Sequence, residues 1–240
     1  MKKWFPLGFI FILTVAIVAG CGQQPQPVPT PEKKELTYEL MKSTTAMPEG
    51  LPGLLDFVKD QPGYLLQEID GKEYLIINLG EKPTGGFGLE IASAEIIDGK
   101  TVITVKELSP KPGDSVTQVL TYPQIVMMPK DLSEALIIQN EKKEAYTVLA
   151  IDLKTDSGRF QSIEEDGIIQ IKISGTPNEL PAKSFALTPL QESIAAQMKL
   201  QKETEIRFHY VEPKEGSPII VELSLRSEEH TSELQSRFGI

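Results

Sequence analysis

The chain of 240 residues carries 34 acidic and 24 basic side chains, a formal net charge of −10, with 40% hydrophobic content. That balance suits one to two globular domains, and the excess of acid opposes nucleic acid or bare anionic lipid as partners. The only cysteine is Cys21, which excludes an internal disulfide and leaves no thiol for Cys–His catalysis in a folded domain.

Lys2-Lys3 form a short basic region, Leu7–Ala19 an apolar one, and Val18-Ala-Gly-Cys21 closes it. Residues 1–20 therefore read as a secretory signal with small residues at the cleavage site. The apolar run is shorter than the ~20 residues of a membrane span, which disfavours the alternative of an uncut signal anchor. Val18–Cys21 also resembles the lipobox of bacterial lipoproteins. That resemblance implies cleavage before Cys21, diacylglycerol on its thiol and acyl chains such as palmitate. At roughly 0.8 kcal/mol per buried CH2, two or three chains would hold the protein on the extracytoplasmic face of the cell membrane. Residues 21–35 form a Pro/Gln-rich tether. Its prolines at 25, 27, 29 and 31 favour polyproline II at about 3.1 Å per residue, a reach on the order of 40 Å.

Residues 36–150 read as a β-sandwich or meander with one short helix. Leu36–Ser43 is the opening strand, with Leu36, Tyr38 and Leu40 on one side. Gly53–Lys59 is the helix, with Leu51, Leu54, Leu55 and Val58 inward. Tyr64–Ile69 and Tyr74–Leu79 pair across Asp70-Gly71, and Ile91–Ile97 pairs with Thr101–Val105 across Asp98-Gly99, both strong hairpin signals. Gly80–Gly88 is a sharp connection in which Pro83 pre-sets φ and Gly85-Gly86 supply positive φ. Lys111–Asp114 leads to Val116–Pro129, where Tyr122-Pro123 is either a cis bond or a strand end. A last hairpin is expected from Ala135–Gln139 to Ala145–Ile151 across Asn140–Glu144.

Two motifs in this half carry a second resemblance. Gly80-Glu-Lys-Pro-Thr-Gly-Gly-Phe87, followed by Val116-Thr-Gln-Val-Leu-Thr-Tyr-Pro123, is similar to the C-terminal domain of the PrcB family over roughly Leu36 to Ala150. Phe87 stands where the family often has Tyr, and Gln124 where an aromatic is common. The family is named after a lipoprotein subunit of a bacterial cell-surface protease complex, so the resemblance implies a non-catalytic partner domain. The partner-binding candidates are Lys82, Pro83, Thr84, Gly85, Gly86, Phe87, Tyr122 and Pro123. Pro83–Phe87 is also loosely similar to the Pro-Thr-Thr-Gly-Tyr/Phe loop of chagasin-type cysteine-protease inhibitors, which leaves a protease inhibitor as the alternative.

Residues 155–225 restart the β rhythm with strands at Arg159–Ile163, Gly167–Ser174, Lys183–Leu187, Ile206–Val211 and Pro218–Leu225. A helix at Thr188–Leu200 precedes the fourth. Thr188 is its N-cap, Pro189 its first residue, and Gln191 completes a capping box. Leu190, Ile194 and Met198 are expected to face a sheet. Five short strands with one helix suggest a small OB-like β-barrel. Residues 226–240 are set aside: Arg226–Ser236 reads as the in-frame translation of a sequencing-library adapter, so Leu225 is the last residue taken as natural.

Chemistry is sparse in this inventory. With His230 in the excluded tail, a Ser–His–Asp triad would need His209, whose mid-strand position reads as a solvent-face or cross-strand histidine. One histidine and no cysteine pair disfavour zinc, and Glu164-Glu-Asp166 reads as a solvated turn before a weak calcium site. The glycines of Gly80–Gly88 lack a P-loop ending and join two strands, with no helix N-terminus to meet a phosphate. No cofactor or metal is expected. A hydrolase working through a Ser–Lys dyad or paired carboxylates has no motif to mark it. The expectation is a non-catalytic surface lipoprotein supporting an exported protease or another envelope protein.

Overall fold

The computed structural model describes residues 32–41, 47–177 and 179–226. Cys21, most of the tether, the signal segment and residues 227–240 lie outside the described residues. The described chain is mainly β: two four-stranded sheets, then a closed five-stranded barrel.

Strands β1 (Lys33–Glu35), β5 (Gly88–Ile97), β6 (Lys100–Leu108) and β8 (Ala135–Asn140) make one sheet. Strands β2 (Tyr38–Leu40), β7 (Gln124–Pro129), β4 (Lys72–Asn78) and β3 (Gly63–Ile69) make the other. Leu75, Ile77 and Met127 of the second sheet pack against Ala94, Ile103, Val105 and Ile138 of the first, which makes the pair a sandwich. Both hairpins form as expected. Asp70 and Gly71 have φ of 52° and 71°, and Asp98 and Gly99 49° and 75°, the left-handed pair that a two-residue hairpin loop requires.

Two expectations need correction here. Leu36–Ser43 is not one strand: the chain switches sheets at Leu36-Thr37, so Leu36 is buried while Leu40 is exposed. A short entropy-cheap link serves both sheets, and alternation cannot register that change of partner. Nor does Ala145–Ile151 return as a strand beside β8. The turn at Asn140–Glu144 closes, but only one bridge follows, Gln139 to Ala145, and the chain then crosses to bridge Tyr64 through Val148. Meanwhile β8 takes β6 as a parallel partner.

The second sheet is covered on its other face too. Helix α1 (Leu51–Val58) lays Leu51, Leu54, Leu55 and Val58 on Leu65, Ile69, Tyr74, Ile76 and Val126. This explains the unbroken apolar run in β4: a strand buried on both faces has no polar side to alternate with. The helix starts two residues before its expected first residue because Pro52 occupies its first turn, where a missing N–H costs nothing.

The barrel contains β9 (Leu153–Ile163), β10 (Ile168–Ile173), β11 (Lys183–Leu187), β12 (Glu205–Val211) and β13 (Ile219–Leu225), with helix α2 (Pro189–Met198) between the third and fourth. Its order around the ring is first, second, third, fifth, fourth, with the third and fifth parallel, an OB-like topology. Long β9 pairs with β12 through its first half and with β10 through its second, and so closes the ring. Phe160, Ile169, Ile171, Phe185, Phe208 and Leu223 fill the interior. Phe185 meets Phe208 edge-on, with ring centroids 5.0 Å apart.

Helix α2 is capped as expected by Thr188, whose hydroxyl accepts from the Gln191 amide, 3.2 Å away. The reciprocal half of the capping box is absent: Gln191 is buried and its Oε1 has no partner. The inward stripe is correspondingly rotated. Gln191 and Ala195 are buried, Met198 packs on the barrel core, and Leu190 is exposed. The expected i+4 series took Leu190 for its hydrophobicity, whereas the small Ala195 is what lets the helix seat closely.

Candidate functional site

The two motifs separated by some thirty residues in sequence meet in space. Residues 80–88 leave β4 and enter β5, while residues 116–123 lead into β7. Lys82 and Thr121 exchange both backbone hydrogen bonds, at 2.8 and 3.0 Å. The Gly85 amide donates to the Thr117 carbonyl at 2.9 Å, and the Thr121 hydroxyl to the Thr84 carbonyl at 2.7 Å. These bonds brace the two loops against each other.

The glycines act differently from one another. Gly86 has φ of 85°, as expected, whereas Gly85 is absent from the positive-φ residues. Gly85 is instead needed for approach, since a Cβ there would lie 2.4 Å from Thr117 Oγ1. Tyr122-Pro123 carries no cis bond, and the strand β7 begins just after it. The Tyr122 hydroxyl donates to Glu81 Oε2 at 3.0 Å, and that bond holds its pKa above the ordinary phenol value. Lys59 Nζ, bonded to Asp56 at 2.6 Å, lies 5.2 Å from the centre of the Tyr122 ring.

Pro83 and Gly86 are exposed, and Lys82, Thr84, Phe87, Tyr122 and Pro123 are half-buried. Val119 and Leu120 are the additional members, 56% and 54% exposed on the second loop. Sequence reasoning passed over them because Val116–Pro123 reads as a strand that would bury one side. Only Thr121 makes a bridge there, so the neighbours Val119 and Leu120 have no sheet to cover them.

Behind the loops, two side-chain amides, Asn78 buried and Gln124 half-buried, tie them to α1. Asn78, fully buried, donates through Nδ2 to the Val58 carbonyl at 3.0 Å and accepts at Oδ1 from Gln124 Nε2 at 2.9 Å. Gln124 Nε2 also lies 3.1 Å from the Leu55 carbonyl. Carbonyls in the last turn of a helix have no intrahelical partner, and these side chains supply one.

The family model described as PrcB C-terminal matches residues 73–128, the span from β4 to β7 with both loops inside it. This stretch is therefore similar to the PrcB C-terminal domain. Gln124, just after the second motif, joins this stretch to α1 through its contacts with Asn78 and the Leu55 carbonyl. No curated protein matches the chain.

The loop pair of the PrcB-like domain contains no histidine or cysteine. His209 lies in the barrel strand β12 and is buried, not solvent-facing. It is cross-strand, between Thr155 of β9 and Glu222 of β13. Its Nδ1 lies 2.9 Å from the Thr155 hydroxyl and its Nε2 has no hydrogen-bond partner, so no carboxylate orients the ring as a triad base requires. Glu164–Asp166 lies in a turn in which the Gly167 amide donates to the Glu164 carbonyl at 3.1 Å. Among the described residues no group of three or more His, Cys, Asp or Glu side chains is placed to hold a metal ion.

Proposed function

We propose that the protein is a non-catalytic, lipid-anchored envelope subunit whose PrcB-like domain binds an exported protease, or another envelope protein, through the braced loops 80–88 and 116–123. The observation that carries this reading is the bracing of those loops into a pair bearing exposed Pro83, Val119 and Leu120. A braced pair loses little entropy on docking, and its exposed apolar side chains supply burial. The family name, given for a protease-complex subunit, supports the protease as the class of partner. In this reading Cys21 carries the lipid and residues 21–35 set the standoff from the membrane.

The test is affinity recovery after crosslinking on intact cells of the source organism, with the captured proteins identified by mass spectrometry. One dominant exported protease, lost with Val119→Asp plus Leu120→Asp in a protein of unchanged thermal stability, is the expected result. Equal capture by that variant would overturn the assignment of the loops.

The exposure of Pro83 at the loop tip favours a second reading, a protease inhibitor with Pro83–Phe87 as its wedge. Under it, Pro83→Ala with Phe87→Ala abolishes inhibition of the captured protease. Full inhibition by the double variant, or none by the wild type, rejects the wedge and leaves the supporting role.

A further inference from the structure

The barrel and the sandwich meet across α1, and the centre of that seam is built around one titratable side chain. Between His209 and Tyr210 the register with β13 shifts: His209 pairs with Glu222 and Tyr210 with Ile220, so Val221 is an extra residue. This bulge turns both Val221 and Glu222 toward α1. Val221 joins the helix core, and Glu222 Oε2 accepts from the Gly53 amide in the first turn of α1, at 3.2 Å. The helix can come this close because residue 53 has no side chain: a Cβ there would lie 2.0 Å from the Val221 carbonyl oxygen.

His209 sits under the chain just ahead of α1. A Cβ on Gly50 would lie 2.6 Å from its Nδ1, so the imidazole fills the space a side chain at residue 50 would need. Thr155 engages Nδ1, and Nε2 is buried with no partner. That arrangement suits a neutral ring, since an imidazolium needs acceptors at both nitrogens. The charged groups around it come from every neighbouring element: Glu222 on β13, Glu49 ahead of α1, Asp70 in the β3–β4 turn and Arg207 on its own strand. Arg207 is itself paired with Glu49 at 3.2 Å.

We propose that this seam is a proton-operated latch, in which neutral His209 holds α1 against the barrel and uptake of one proton releases the helix. A protonated ring buries an Nε2–H that the closed seam leaves without an acceptor, and satisfying it by opening to water, or by drawing Glu222 from the Gly53 amide, loosens the seam. The Gly53 bond and the close approach of the ring to Gly50 both lie at the start of α1. Burial, the largest influence, holds the pKa of His209 below the ordinary imidazole value, although Glu222, Glu49 and Asp70 pull the other way. The open state therefore binds the proton more tightly, and the latch is fully closed above the ordinary value near 6.5, loosening as pH falls below it.

The test is amide hydrogen exchange of the full chain between pH 8 and 5, corrected for intrinsic rates, with His209 titrated by NMR in the same samples. In the window between the open-state and closed-state pKa values, opening of Leu51–Val58 should rise about tenfold per pH unit. Its midpoint should follow the His209 titration while protection of Ile169 and Ile171 in the barrel stays constant. In His209→Gln, which cannot titrate, the same amides should show no pH dependence. Exchange of α1 that does not change with pH in the wild type overturns the latch, and this arm needs no variant. Equal pH dependence in wild type and His209→Gln overturns it as well.

Discussion

Single polar atoms decide much of the architecture around the loops. Asn78 and Gln124 end α1 by supplying donors to its last carbonyls, Asn78 fully buried and Gln124 half-buried. The Val58 carbonyl keeps the Gln61 amide as a donor at 3.0 Å, so removing Asn78 loses two hydrogen bonds without stranding that carbonyl, a cost of about 1–3 kcal/mol at roughly 0.5–1.5 kcal/mol per bond. Asn78→Ala should lower the free energy of unfolding by that amount, read from the midpoint of a urea titration. A loss below a few tenths of a kcal/mol would show that the amide is dispensable. The exposed ion pair Lys106–Glu90, 3.3 Å apart with both side chains near half exposed, makes a useful contrast. Its replacement by two glutamines should change stability by no more than about 1 kcal/mol, since solvent screens such pairs.

At the scale of elements, the fold depends on how near helices come to strands. Gly53→Ala should be the most damaging small substitution in α1. Ala is the best helix former in isolation, yet here its methyl meets a backbone carbonyl that cannot rotate away. Overpacking of this kind costs roughly 1–3 kcal/mol or more, and the melting temperature should fall accordingly. A rise would mean that the helix can shift outward without loss. For α2 the expectation is milder. Thr188→Ala removes one capping bond and should cost about 1 kcal/mol, with Thr188→Ser close to wild type in the same melt.

For the whole molecule, the shared core is the controlling feature. Val211 and Val221 of the barrel belong to the cluster that also contains Leu54, Leu65 and Ile76. Neither half can bury its apolar surface completely without the other. Urea unfolding monitored by far-UV circular dichroism, and by exchange of core amides in each half, should therefore give coincident transitions near neutral pH. Two separated midpoints would show that the halves are independent folding units joined by a weak contact.

Local chemistry was legible at most places where it acted over a few residues, the φ of Gly85 and the reciprocal half of the α2 capping box being the exceptions. Asp70-Gly71 and Asp98-Gly99 specified their hairpins, Thr188-Pro189 started α2, Leu51, Leu54, Leu55 and Val58 marked the inward side of α1, and the five strands and one helix after residue 152 announced an OB-like barrel. The PrcB motifs were legible as well, because they are contiguous strings. What the string could not contain was the identity of partners distant along the chain. The sheet switch at Leu36-Thr37, the parallel pairing of β8 with β6, and the burial of His209 all depend on which surfaces meet. Alternation along β12 assigns Phe208 and Tyr210 to one face, and it leaves the other face to solvent unless something covers it. Tertiary structure supplied α1 as that cover, and it likewise brought residues 80–88 against 116–123. Sequence by itself determined the elements, since propensity and turn chemistry are local. Only the folded chain determined the loop pair and the seam, since long-range burial and hydrogen bonding choose among arrangements that local preferences allow equally.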